Sequence, residues 1–264
     1  MKRVLRKSRQ TVAFVIAIMM FLSVIPLTVV SAEQKYETIE EDGKEYIVFG
    51  SYEQDGNKKN GKEPIEWEVL GEDKNGILVV SRYILDCQRY DKLGRYVVTW
   101  KTCTLRKWLN KKFYNTAFNA SEQKKINTVK VKNADNQYYG TEGGKDTEDK
   151  IFCLSVDEIM NFYSFNEYDE EYYYGSCQAL IVPPTLYAKN KGVYTSIIDE
   201  DRYADNGYTT DCINRVGGFW WLRSPGDYSW SACDVGGYGI AGAYYSSSAL
   251  DDYVGVRPAL YLKK

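Results

Sequence analysis

The 264-residue chain contains no histidine. That absence removes Ser-His-Asp and Cys-His nucleophile activation, histidine general bases and histidine-ligated zinc. The six cysteines include no Cys-x-x-Cys pair, so zinc-ribbon and thioredoxin-like chemistry lack their ligand spacing. Beyond the first 32 residues no apolar run is long enough to span a bilayer. Positive charge is not in surplus either, with 34 basic against 36 acidic side chains. Nucleic acid and anionic membrane surfaces are therefore poor partners. Carboxylate acid–base chemistry, oxygen-ligated cations and aromatic binding surfaces survive these exclusions. A hydrophobic content of 44%, of which aromatics are a large part, places the chain among globular proteins.

Residues 1–32 read as a secretory signal peptide. Lys2, Arg3, Arg6, Lys7 and Arg9 precede an uncharged run from Thr11 to Val30. Val30-Ser31-Ala32 carries small residues where a signal peptidase cuts, so cleavage is expected after Ala32. An uncleaved anchor is the rival reading, and no lipobox cysteine follows. Removing this basic leader shifts the formal net charge from −2 to −7. The expected product is secreted or cell-wall associated. All six cysteines lie in it, and an oxidising compartment permits disulfides among them.

The rest reads as a flexible lead-in over 33–44 and a single domain over 45–264. Glu45 to Phe49 predicts a strand. Ile65 to Leu70 and Ile77 to Val80, around Asn75-Gly76, predict a hairpin. Leu105, Trp108 and Leu109 predict a helix capped by Thr102 or Thr104, and Ser121 is placed to cap a short second helix. Ser155 with Glu158 forms a capping box before Val156, Ile159, Met160 and Tyr163. Pro183-Pro184 opens another short helix. Short strands dominate from Gly217 onward, Phe219 to Arg223 and Val254 to Leu262 among them. Strands at both ends, helices in the first and middle parts and no βαβ alternation indicate the α+β class.

Three look-alike motifs fail on context. Gly56-x-x-x-x-Gly61-Lys62 is followed by glutamate and proline, not by a hydroxyl residue and a helix. Gly237-x-Gly239-x-x-Gly242 has too little chain after it for a βαβ unit, so turns explain its glycines. Ser121-x-x-Lys124 lacks the Ser-Asp-Asn and Lys-Thr-Gly segments of a Ser-Lys enzyme.

Two clusters remain as candidate sites. Asp199, Asp201 and Asp205, with Asn206 and Asp211, form an oxygen-rich stretch that suits calcium, without the spacing of an EF-hand loop. No other cofactor is implied. Aromatic residues are dense at Tyr172 to Tyr174 and in the loops after the Trp-Trp strand. Asp227, Tyr228, Trp230, Tyr244 and Tyr245 are placed there to meet a ligand, because aromatic faces beside polar groups suit sugars as well as cores. In a strand, Trp220 and Trp221 point to opposite faces, so one is expected in the core. Arg223 and Arg257 sit in apolar strands and require partners, with Asp234, Asp251 or backbone carbonyls in view. Pro258 implies a sheet edge or a bulge.

The segments Gly218-Phe219-Trp220-Trp221-Leu222-Arg223-Ser224-Pro225-Gly226 and Val254-Gly255-Val256-Arg257-Pro258-Ala259-Leu260 resemble a domain of unknown function in exported proteins of Gram-positive anaerobes. Phe49 to Tyr52, Leu105 to Asn110, Asp149 to Phe152 and Pro184 to Ala188 agree with it. That family is similar to the C-type-lectin-like superfold, which includes formylglycine-generating enzymes. The resemblance implies a short twisted antiparallel sheet with a few flanking helices and long loops. It makes Trp220, Trp221, Arg223, Pro225, Arg257 and Pro258 structural signatures. The chain has no Glu-Pro-Asn or Trp-Asn-Asp calcium-sugar triplet, and no Arg-Gly-Gly-Ser oxidase segment. The expected function is a non-catalytic binding module for cell-surface glycan or protein ligands. A carboxylate-dependent enzyme on such glycans and a structural or adhesion protein are the alternatives.

Overall fold

Asp73 makes the hairpin turn expected at Asn75-Gly76, its carboxylate accepting the Asn75 N–H at 2.7 Å. The computed structural model describes residues 36–163, 167–169, 174–201 and 208–264. The leader and Tyr172 and Tyr173 lie outside these residues. Strands β1 (Glu37–Glu41), β2 (Lys44–Tyr52), β3 (Glu63–Asp73) and β4 (Gly76–Ser81) form an antiparallel meander. The segment expected as a loose lead-in thus contains a paired strand, β1.

A second sheet begins with β5 (Asp86–Cys87). Beyond it come β6 (Val129–Val131) and β7 (Thr147–Asp149), which pair together, and β8 (Ile151–Phe152). The strands β9 (Glu167–Asp169), β10 (Tyr174–Ser176), β11 (Thr195–Ile197) and β12 (Val216–Gly218) belong to small sheets. The signature strand β13 (Trp220–Pro225) is followed by β14 (Ser231–Val235), β15 (Ile240–Gly242), β16 (Ser246–Ser248), β17 (Gly255–Val256) and β18 (Ala259–Leu262). The main sheets run β1-β2-β3-β4-β18-β8 and β16-β14-β13-β17-β5. The β13–β17 pair is parallel. Among the described residues the architecture is mixed α+β, dominated by sheets, with few helices and no barrel.

Helices are short. They are α1 (Thr104–Trp108), continued through a wide turn into α2 (Tyr114–Ala117), then α3 (Ala120–Gln123), α4 (Val156–Phe162) and α5 (Leu186–Asn190). Leu105, Leu109 and Phe113 face the core along the first of these. Its cap is not a threonine. The Cys103 sulfur accepts the Arg106 N–H, while the Thr104 hydroxyl accepts from Lys92 N. Asn119, not Ser121, caps α3, in a box with Glu122. The Ser155/Glu158 box on α4 forms as expected. Ser155→Ala is expected to cost about 1 kcal/mol, read as a melting shift of a few degrees.

The segment Val254 to Leu262 is not one strand. It changes sheets at Arg257-Pro258, where the missing proline N–H interrupts no ladder. The Pro258 carbonyl still accepts Ser81 N–H at 2.9 Å. Both signature tryptophans are buried, because β13 is covered on both faces. Trp221 packs on Tyr90 and donates to the Gln88 carbonyl at 2.8 Å. Trp220 lies against the Arg257 guanidinium, 5.0 Å from ring centre to Cζ.

The arginines find other partners than Asp234 or Asp251. Arg223 holds both oxygens of Glu158, at 2.5 and 2.6 Å, and the Cys153 carbonyl at 2.9 Å. The capping glutamate of α4 thereby also anchors β13. Arg257 donates to Glu68 and to the Ser81 carbonyl, each at 2.9 Å.

All six cysteines are buried and none forms a disulfide. They act as small apolar fillers, and Cys103 also as a cap. Burial pushes the Cys87 and Cys103 thiols up to about 12, far from thiolate reactivity. The glycines of Gly237-x-Gly239-x-x-Gly242 serve backbone geometry: Gly239 has φ +72°, and a Cβ at Gly237 would lie 2.8 Å from the Gly217 carbonyl.

Candidate aromatic pocket

The turns after the signature strand deliver the loop aromatics to different places. In the β13–β14 turn, Asp227 accepts from Tyr228 N, Ser231 Oγ and Ser246 Oγ at 3.0, 2.6 and 2.8 Å. Asp227 is thus the knot of its own turn. That turn holds Tyr228 and Trp230 with rings parallel to within 3° and centres 4.9 Å apart. Both stay largely exposed, at 55% and 43%. Tyr244 joins a separate cluster with Tyr138 and Tyr139, stacking on Tyr139 at 5.7 Å. Tyr245 turns inward, and burial pushes its phenol up. Of the five residues expected at a ligand site, Tyr228 and Trp230 form a platform, Tyr244 belongs to a neighbouring one, and Asp227 and Tyr245 are structural.

The platform edge borders a pocket of about 220 Å³ lined by Asp91, Arg95, Tyr96, Trp230, Ser248 and Leu250, among others. Asp91 had no sequence signal, since it precedes Trp230 by half the chain. It is 1% exposed. One carboxylate oxygen accepts from Arg95 Nη1 and Thr104 N, each at 3.2 Å, and the other has no hydrogen-bond partner. A buried carboxylate oxygen without a donor costs free energy. Tyr96, 87% exposed, stands at the rim.

Of the calcium candidates, Asp199 and Asp201 are exposed, and Asp205 and Asn206 lie outside the described residues. Among the described residues, one group of three acids converges, Glu53, Asp55 and Glu63. Glu63 there accepts the backbone N–H groups of Gln54 and Asp55, as a turn requires.

A family described as "Domain of unknown function (DUF6273)" matches residues 74–264, most of the chain. The chain belongs to this family. No curated protein and no solved structure matches it. The DUF6273 match starts in the β3–β4 turn, yet β1, β2 and all of β3, which precede it, belong to the same six-stranded sheet as β4 and β18. Glu68, which pairs with Arg257 of the DUF6273 region, also precedes it. Residues Lys35–Lys264 cluster as one compact unit, so the folded body extends beyond the DUF6273 match.

Proposed function

We propose that the protein is an exported, non-catalytic binding module on a C-type-lectin-like framework, with cell-surface glycans as its ligands. The observation that carries this reading is the exposed, stacked Tyr228–Trp230 pair beside the Asp91 pocket. An exposed indole offers a negative π face to the polarised C–H edge of a sugar ring. Arg95, partly exposed and paired with the buried Asp91 carboxylate, supplies donors for sugar hydroxyls beside the platform. The pocket is small enough to hold one sugar ring, with the chain of the glycan running along the platform.

The test is a glycan array on the chain from Glu33 onward, with and without calcium, followed by calorimetry on the best ligand. Trp230→Ala is expected to weaken binding about tenfold, the loss of one stacking contact and its buried area, with melting unchanged. Binding that survives the substitution, or turnover of the glycan, would refute the reading.

A further inference from the structure

We infer that a second, larger cleft is a binding site for an oxyanion-bearing ligand, one that carries a carboxylate or phosphate on a partly apolar body. The cleft holds about 1330 Å³ and shares no lining residue with the aromatic pocket, so this inference does not rest on the preceding reading.

Its floor is a chain of charges on the main sheet. Glu68 of β3 is 7% exposed, on the face of the strand opposite Ile65 and Trp67. One of its oxygens accepts from Lys44 Nζ at 2.7 Å, the other from Arg257 Nη2 at 2.9 Å and from the Tyr163 hydroxyl at 3.4 Å. Three of the carboxylate's roughly four acceptor sites are therefore filled, while the cations keep more of their donor capacity. Lys44 uses one of three N–H groups on Glu68. Arg257 is 1% exposed; its Nη1 makes no hydrogen bond of good geometry, and its guanidinium also lies against the Tyr163 hydroxyl. That nitrogen is itself buried beneath the cleft surface, so Lys44, more than a third exposed, is the cation a ligand meets directly, with Arg257 adding its charge from below.

Among the described residues, the other charged ones lining the cleft are Arg82, Arg215 and Asp42. Arg82 lies over the Tyr46 ring at 4.6 Å and is paired with Glu41 and Glu66, both at 2.8 Å. Asp42 is exposed in the β1–β2 turn at the rim. The hydrogen-bonding capacity left at the floor is thus mainly donor capacity on positive groups, which selects anionic acceptors over neutral ones. Phe162, Ile181 and Pro183 give the walls an apolar share that suits a ligand body larger than the anion itself. Glu68 acts here as a positioning residue that holds Lys44 and Arg257 in place.

The experiment is an amide-resonance titration of the chain from Glu33 onward with sodium glucuronate, inorganic phosphate and glucose, at fixed ionic strength. Glucuronate or phosphate is expected to shift the Lys44, Tyr46 and Gln178 amides, and glucose is not. The tighter of the two anions identifies the ligand as carboxylate or phosphate in kind. Lys44→Gln, at a side chain more than a third exposed, keeps the fold and is expected to weaken that anion at least tenfold. Equal shifts with glucose, no shift with either anion, or unaltered binding by a folded Lys44→Gln protein would each overturn the inference.

Discussion

Replacing Arg223 by alanine is expected to destabilise the protein by about 3–5 kcal/mol, the usual loss when one partner of a buried ion pair is removed. For a domain of this size that is a fall in melting temperature of about 10 °C. The guanidinium is 4% exposed and its substitution strands several groups at once. Glu158 loses its two hydrogen bonds from the guanidinium, and the Cys153 and Lys132 carbonyls lose that donor. The packing over the Phe152 ring, at 5.6 Å, becomes a void. Arg223→Met retains much of that volume and is expected to lose less, so the gap between the two variants measures the polar share. Thermal melts of both proteins make the check. An alanine variant melting within about 2 °C of wild type would mean that Arg223 is not a structural anchor.

The second large effect concerns Asp234. It is fully buried on β14, and neither oxygen forms a hydrogen bond of good geometry. Burial pushes its carboxyl up to about 8. The Ser247 hydroxyl favours the ionised form, and the charge of Asp251 opposes it. Tyr245 and Tyr253 sit close enough to feel the same charge. In the unfolded chain the group ionises near its ordinary 3.8. Between these values the folded protein keeps a proton that the unfolded chain has released. Stability therefore falls as pH rises through that window, by at most about 1.4 kcal/mol per pH unit from this group.

The missing histidine makes this measurable, since few other side chains titrate from pH 5 to 8. Carboxylates held low by hydrogen bonds, such as Glu41, Asp55 and Asp146, act below that range. The melting temperature is expected to decline by several degrees from pH 5 to pH 8, and to stay nearly level in Asp234→Asn. A wild-type profile that is flat or rising over this interval would contradict the assignment.

Much of the scaffold was legible from local rules. The Asn75-Gly76 hairpin and the Ser155/Glu158 box depend on residues near one another in the chain, whereas strand alternation put one of Trp220 and Trp221 in the core and both are buried. What escaped was set by distant partners. Glu66 and Glu68 read alike as the polar side of an alternating strand. Only the arrival of Arg257, Lys44 and Tyr163 buries Glu68 and turns that side into a cleft floor. Asp234 looked like a partner for a buried arginine, yet each arginine took a glutamate from another element. The candidate site divided in the same way. Trp230 and Tyr228 announced themselves by aromatic density, whereas Asp91 joined them only through the docking of the loop that carries it against the segment after β16. Arg257-Pro258 read as an edge or bulge, because a proline cannot reveal that its two flanks belong to different sheets.

That crossing strand has a kinetic consequence. Residues 255–262 lie between neighbours in both main sheets, with β17 against β5 and β13 and β18 against β4 and β8. The β4 and β5 partners are separated from it by most of the chain, so loop-closure entropy is paid before either sheet gains its central ladder. Until this one segment zips in, β4 is left with an open apolar edge, a template for strands of other molecules. Slow, aggregation-prone refolding at high concentration follows from this topology, and a short peptide spanning residues 254–262 would compete for the vacant slot.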